Sequence, residues 1–430
     1  MAIDSAKLMT HVKALASMGP RLTGTPAERA GADYAASVLQ KAGAETWIET
    51  FPIVGWHGES ASVQVRRGTK WLDLPALPLG FSPSTPGRVE SPLAILDFCH
   101  ADNPQLRDCE GKVVLCASLW GEDARDLDAL TDAKPAAVLF VDDRYPGNHP
   151  VQINMPMGWA GRLGVPAATI SYFDGWEMAR FKPRTRVAID STTFPAEAVN
   201  TVAQFEGTNP RLAPIILCAH HDSVAIGDQA DDNASGVACV LEIAKALAAK
   251  PHARTVVACS FGCEEFLSTG AEAFVRAHPD LSASAALVIN FDAVGSILGH
   301  TNALVTGTPK LLRWVERLVD EMGEPMVVER DVSPYSDHFF FTAAGTPALW
   351  FYRPNCDAGR WFHHSVYDAV EQVSGEVIAM SARVGLAAAE KLVDATRLPY
   401  EKTVPEEQLA ATRKLERDMG YWPPRRKGGE

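Results

Sequence analysis

The residues able to do chemistry gather at the ends of apolar runs. His220 and Asp222 follow the run Ile215–Ala219 and stand two apart, so on an extended backbone they share a face. Asp231 and Asp232 precede a helical pattern from Ser235 to about Lys250. A carboxylate there meets the positive end of a helix and stays ionised. A second run, Val256–Phe261, leads into Glu264 and Glu265. Adjacent side chains in a turn diverge, so one carboxylate can bind a metal while its neighbour faces a metal-bound water as general base. Leu287–Phe291 runs into Asp292, and His363 and His364 follow Trp361 and Phe362 late in the chain. Each group alone has an ordinary reading: a hydrogen-bonded His–Asp pair, a solvated loop edge, a loop cap, packing histidines. Together they place His, Asp, Glu, Asp and His, with a further Glu, just past strand ends, where ligands gather in open α/β sheets. That donor set suits zinc, although manganese and cobalt accept it too. Two metals roughly 3.5–4 Å apart, sharing a bridging carboxylate and a water of lowered pKa, use such a set for hydrolysis.

The elements that must position these groups read as α/β. Asp4–Met18 is helix-like, with Leu8, Val12 and Leu15 on one stripe. Gly19–Pro26 is an ordered loop, Ala27–Ala42 a second helix stopped by Gly43, and Thr46–Phe51 a strand. From about Gly55 to Phe194 the pattern changes to short strands and many prolines. Candidate strands there are Ser62–Val65, Ala94–Phe98, Lys112–Ala117, Ala137–Val141, Ala168–Ile170 and Val187–Ile189, with a short helix at Asp123–Leu130. Strand and helix then alternate. Strands are expected at Val199–Phe205, Ile215–Ala219, Val256–Phe261, Leu287–Phe291, Met326–Val328 and Ala348–Phe351. Helices are expected at Ser235–Lys250, Ser268–Ala277, Pro309–Met322, Ser336–Ala344 and Val373–Leu392. Such alternation predicts a mostly parallel central sheet with helices on both faces. The expected division is residues 1–54 and 196–395 as one α/β domain, 55–195 as a small β-rich insert, and 396–430 as a helix (Glu406–Met419) and tail ending in Pro423-Pro-Arg-Arg-Lys-Gly-Gly.

Composition excludes several classes. At 430 residues the chain is long for one core. A hydrophobic content of 47% with 22% charged residues is that of a globular protein. The net charge of −13 argues against a nucleic-acid or anionic-membrane partner. No apolar run approaches spanning length, and the start, Met1-Ala-Ile-Asp-Ser, does not read as a signal peptide. Cysteines scattered in apolar runs (Cys116, Cys218, Cys259) read as reduced core thiols, and the expected location is cytoplasmic.

His220-His-Asp-Ser, Asp231-Asp-Asn-Ala-Ser-Gly, Cys263-Glu-Glu-Phe, Ile289-Asn-Phe-Asp, Ser336-Asp-His and His364-Ser-Val-Tyr occur in an order and at intervals that resemble the co-catalytic zinc exopeptidases, which include bacterial leucyl aminopeptidases and glutamate carboxypeptidase. The opening Gly19-Pro-Arg-Leu-Thr-Gly-Thr resembles that family's start. Gly111-Lys-Val-Val-Leu and Gly164-Val-Pro-Ala-Ala look like a protease-associated domain. The resemblance implies two zinc ions per chain, one on His220 and Asp292, the other on Glu265 and His364, bridged by Asp232. It implies Glu264 as general base and Asp222 as the carboxylate orienting His220. For the oxyanion, Tyr335 and His363 are both candidates. Arg353 and Arg360 lie in the loop before His364; Arg353 can hold a substrate carboxylate or make a loop salt bridge, and Trp361 can line an apolar pocket. The implied activity is removal of a terminal residue from a peptide by metal-activated water, as an aminopeptidase preferring apolar or aromatic residues. A carboxypeptidase, an amidase on a non-peptide amide, a glutaminyl-cyclase-like enzyme and a metal-free binding protein on the same fold are the alternatives. Homo-oligomerisation through the insert or tail stays open.

Overall fold

The computed structural model describes residues 3–117, 123–143, 146–356 and 359–419. The expected tail Pro423-Pro-Arg-Arg-Lys-Gly-Gly lies outside the described residues. In chain order the elements begin with α1 (Ser5–Ala16), α2 (Pro26–Lys41) and β1 (Glu45–Arg67). There follow β2 (Lys70–Leu74), β3 (Ala76–Pro78), β4 (Val89–Ser91), β5 (Leu93–Leu96), β6 (Val113–Cys116), α3 (Ala124–Asp132), β7 (Ala137–Val141), β8 (Ala167–Ile170), α4 (Tyr172–Phe181) and β9 (Thr185–Phe205). The remainder is β10 (Ile215–His220), α5 (Gly236–Ala248), β11 (Val256–Phe261), α6 (Thr269–Ala277), α7 (Pro279–Ser284), β12 (Leu287–Phe291), β13 (Thr301–Thr306), α8 (Pro309–Met322), β14 (Met326–Arg330), α9 (His338–Ala343), β15 (Ala348–Tyr352), α10 (Gly375–Val393) and α11 (Glu406–Met419). Contacts divide the chain into two units. The first comprises residues up to Pro52, Glu197–Arg360 and Val366–Glu416. The second comprises Ile53–Ala196, Trp361–Ser365 and the last described turn from Arg417.

In the first unit the strand order is β14-β13-β15-β12-β10-β11-β9. β10 runs parallel to β11 and β12, and β12 to β15; β9 and β13 enter antiparallel. β10 is buried along its whole length because helices cover both faces. Its residues alternate between two cores. Ile215, Leu217 and Ala219 join the core beneath α1, α5, α8 and α10, while Ile216 and Cys218 join the one beneath α6 and α9. In the second core Phe261, Phe274 and Phe341 form a ring cluster with centroids 5.5–6.2 Å apart. Register then sets the site. Cys218 lies opposite Asn290 and His220 opposite Phe261, so His220, the Glu264 turn and Asp292 leave the sheet at one edge.

Several features differ from the sequence expectation. β1 continues through Pro52 to Arg67, and β9 begins at Thr185 rather than Val199, so both strands run across the expected domain boundaries. β13 was not expected: Thr301–Thr306 is buried throughout, but its threonines and Asn302 hide the apolar signal. α4 was not expected either, because Phe173, Trp176 and Phe181 are exposed and leave no apolar stripe.

In the second unit β3-β8-β7-β6-β5 form a five-stranded sheet, parallel except for the edge strand β3. Val113, Leu115, Leu139, Ala168 and Met178 lie in its core. The far end of β1 forms an antiparallel pair with β2. Seven of the eight cysteines are buried, Cys356 being half-buried. Among the described residues no helix is long and apolar enough to cross a membrane.

The start of α2 carries a buried carboxyl. Thr25 caps the helix through the Glu28 N–H at 3.4 Å. Glu28 in turn accepts from the N–H of Gly24 at 2.8 Å and of Val199 at 3.3 Å. Burial first, and then the charge of Asp222, push the Glu28 carboxyl up to about 8. The folded state therefore keeps a proton that the unfolded chain releases near 4.5, and stability falls as pH rises from there to about 8. E28Q should remove this fall. Urea unfolding at intervals across that window should show the wild type losing stability relative to E28Q as pH rises; parallel profiles would contradict it.

Candidate metal centre

The site is built on four carboxylates and one imidazole at the β10–β11–β12 edge. His220 Nδ1 lies 3.3 Å from the backbone carbonyl of Asp222 and 3.5 Å from its Oδ1, which makes Nδ1 the protonated nitrogen. Nε2 then presents a lone pair. It is buried and makes no hydrogen bond. Facing it are Asp232 Oδ1 at 3.2 Å, Asp292 Oδ1 at 3.5 Å and Glu264 Oε2 at 3.8 Å. A lone pair and three carboxylates converging on one buried point repel one another unless a cation lies among them. His220, Asp232 and Asp292 are also close enough to hold one ion together. These residues fit a divalent metal. With no cation among them, Glu264, Asp292, Asp222 and Asp232 outweigh the lowering effect of burial and hold the His220 pKa well above its usual value, so a proton on Nε2 meets the same need for positive charge that a metal ion would meet at its lone pair. His221 behaves oppositely: buried against Ser260 Oγ at 3.1 Å, it is pushed down to about 4 and stays neutral.

Asp222 does more than orient His220. Its oxygens accept from Thr23 Oγ1 at 2.8 Å, the Glu264 N–H at 3.0 Å and the Glu265 N–H at 3.3 Å. It therefore fixes the turn that carries both glutamates. Glu264 is steadied further by Ser268 Oγ, 2.9 Å from Oε1. Burial first, then Asp292, Asp337 and Glu265, push its carboxyl well above the ordinary range against the opposing pull of His220. Glu265 is buried on the same turn but is not part of the His220–Asp232–Asp292 triad.

Several positioning residues were not assigned a role from sequence, although Arg21 and Ser336 stand in motifs noted there. Arg21, fully buried, donates to the carbonyls of His221 (2.8 Å), Asp228 (3.0 Å) and Gln229 (2.9 Å), clamping the loop after β10. Asp368 accepts from the N–H groups of Asp231 (2.7 Å) and Asp232 (3.0 Å). Ser336 Oγ donates to Asp292 Oδ2 at 2.7 Å and accepts from Asn290 Nδ2 at 2.6 Å, which is how the Ser336-Asp-His motif reaches the site. The helix-end reading of Asp231 and Asp232 needs correction. Asn233 Oδ1 takes the Gly236 N–H at 2.9 Å at the head of α5, while Asp231 turns to the Gly295 N–H at 2.7 Å. A Cβ on Gly236 would lie 2.2 Å from the Phe291 carbonyl, so only glycine lets the helix begin there.

The remaining sequence candidates lie as follows. Arg353 is buried, and its guanidinium donates to the Ser296 carbonyl at 2.6 Å and Thr301 Oγ1 at 2.9 Å. Tyr335 is exposed on the turn before α9. His363 and His364 belong to the second unit, stacked with centroids 3.6 Å apart. There His364 Nδ1 lies 3.0 Å from the Gln152 carbonyl, and the His364 carbonyl accepts from the Gln152 N–H at 2.7 Å. Trp361, half-exposed, meets His149 edge-on at 6.2 Å.

The class of fold these features define is the α/β fold of solved zinc aminopeptidases. The chain superposes on BSAP, a zinc aminopeptidase from Bacillus subtilis, with a TM-score of 0.75 at 19% identity, covering 94% of this chain and 98% of that one. It superposes on a peptidase M28 precursor from Shewanella amazonensis with a TM-score of 0.76 at 18% identity, covering 93% and 95%. In sequence it is 26% identical over 306 residues to the probable lipoprotein aminopeptidase LpqL of Mycobacterium tuberculosis, spanning 68% of this chain and 60% of that protein's length. It is 22% identical over 421 residues to aminopeptidase YwaD of Bacillus subtilis, spanning 94% and 87%. Residues 200–389 match the model of peptidase family M28.

Asn at position 222 would face a donor with a donor, because its amide nitrogen cannot accept. D222N should weaken zinc binding by about 10–100-fold, as loss of a group supporting a metal-binding turn does. Competition with a fluorescent chelator reads this directly, and an unchanged affinity would show that the Glu264 turn holds without the carboxylate.

Proposed function

We propose that the chain is a zinc-dependent aminopeptidase, removing the N-terminal residue of peptides. The observation that carries this reading is the convergence of Asp232, Asp292 and Glu264 on the buried Nε2 of His220. The match of residues 200–389 to the model of peptidase family M28 supports it, as do relatives named as aminopeptidases. The ligand set is proposed as His220, Asp232, Glu265, Asp292 and His364, holding two ions per chain; His364 is included on its His-Ser-Val-Tyr motif. Zinc held there would polarise the scissile carbonyl and lower the pKa of a water so that it gives up a proton and becomes the nucleophile.

The chain's own groups supply the rest. Glu264, held by the Ser268 hydroxyl and by Asp222 through its N–H, has a carboxyl whose hold on a proton burial strengthens. It is placed to take a proton at Oε2 and hand it to the leaving amine. Arg353 is engaged with Ser296 and Thr301. That counts against Arg353 as the holder of a substrate carboxylate, the one feature that had pointed to a carboxypeptidase. Trp361 is proposed to favour apolar or aromatic terminal residues. The five-stranded sheet of the second unit is proposed as a protease-associated-like module, supported by the Gly111-Lys-Val-Val-Leu stretch that enters β6 and the Gly164-Val-Pro-Ala-Ala stretch that enters β8.

The test is metal content measured with turnover of aminoacyl anilides, their N-blocked forms and C-terminal glutamyl peptides. Zinc uptake with turnover of free-amine substrates alone is the expected result; turnover of only blocked or acidic substrates would overturn it. E264Q should keep its zinc while kcat falls by about 10²–10⁴-fold, the usual range for a positioned acid–base group. Turnover near wild type would remove Glu264 from that role.

A further inference from the structure

The two oxygens of Asp232 face different cations. Oδ1 points to His220 Nε2 at 3.2 Å, the side on which Asp292 also converges. Oδ2 is 2.7 Å from the guanidinium of Arg360, whose Nε lies 3.8 Å from Asp231 Oδ2. Arg360 is 8% exposed, Asp232 4% and Asp231 0%, so this pairing is shielded from solvent. A buried, charge-assisted contact of this length is strong, and breaking it leaves charges uncompensated.

A carboxylate that bridges two metal ions gives one oxygen to each. Here the second oxygen is already held by a fixed positive charge. We infer that Arg360 is an internal cation competing for Asp232 Oδ2, and that it sets the affinity and occupancy of the second metal position. The inference rests on the metal reading proposed above. The first ion enters at His220, Asp232 Oδ1 and Asp292 without disturbing Arg360. The second enters only when the guanidinium leaves Asp232, so its apparent affinity is reduced by the fraction of molecules in which Arg360 has swung away. If that fraction is about one in ten, the second step is weakened about tenfold. Asp231 gives the displaced guanidinium a place to stay, because its own carboxylate lies beside the same group. The second ion's occupancy thereby becomes sensitive to zinc supply while the first stays filled.

The experiment is titration of metal-free full-length protein with zinc against a fluorescent chelator, with ions counted by native mass spectrometry. Wild type should take up one ion tightly and a second more weakly. R360Q should tighten the second step by about tenfold or more and leave the first within about twofold. A wild type that binds one ion and an R360Q that binds two would be the same effect at its limit. A first step that is intact with a second step unchanged or weaker in R360Q would overturn the inference and leave the metal reading standing. No zinc uptake by either protein would sink both. R360K keeps a positive charge on the same loop and should tighten the second step less than R360Q does; an equal tightening would assign the effect to the loop and overturn the role of charge. The wild type offers a measurement independent of any variant's folding: one arginine Nε–H resonance should shift with the second equivalent of zinc and not with the first. No such resonance would also overturn the inference.

Discussion

Burying several carboxylates around one imidazole is the constraint on which the rest of this structure depends. Asp232, Asp292 and Glu264 all approach His220 Nε2 within 4 Å, with His220, Asp232 and Asp292 buried. In water such a group of acids would repel weakly; in a low-dielectric interior the same repulsion is several times larger. The chain contains it by anchoring each acid separately, through bonds that leave the oxygens facing His220 in place. Ser336 holds Asp292, Ser268 holds Glu264, and Arg360 holds Asp232.

A second layer works on the backbone. Asp222 takes the N–H groups of Glu264 and Glu265, and Asp368 takes those of Asp231 and Asp232. In both cases a buried carboxylate fixes two consecutive peptide groups, and with them the direction of the side chains they carry. Arg21 does the complementary work on carbonyls of the loop after β10. These groups cost desolvation, and their hydrogen bonds to main-chain atoms offset it. A site held through its backbone has less freedom to relax than one held by side-chain packing alone. The opposite pKa directions of adjacent His220 and His221 show how local this control is: one faces acids, the other a hydroxyl in an apolar setting.

Much of the site was legible because chemistry-bearing residues follow apolar runs. His220, Asp222, Glu264, Glu265 and Asp292 each sit just beyond a run that proves to be β10, β11 or β12, and parallel strands in register bring their ends to one edge. The helices Pro309–Met322 and Val373–Leu392 were legible from period alone. What escaped were elements whose burial is not written in apolar residues, such as β13 with its buried threonines, and α4 with its aromatics turned outward. Both long strands also pass through prolines at which a sequence reading stops.

By itself, then, the sequence determined the α/β class, the strand ends that carry the acids, and the donor types that suit zinc, because periodicity and residue type are local properties. Tertiary structure decided the partners. That Asp222 holds a glutamate turn, that Arg353 is engaged with Ser296 and Thr301, and that Asp368 and Arg360 reach Asp231 and Asp232 all depend on residues more than 40 positions apart meeting in a buried space. Spacing along the chain carries no record of such contacts. The energy that selects them comes from excluding water and satisfying buried polar groups, and this exists only once the sheet and its helices have closed around them.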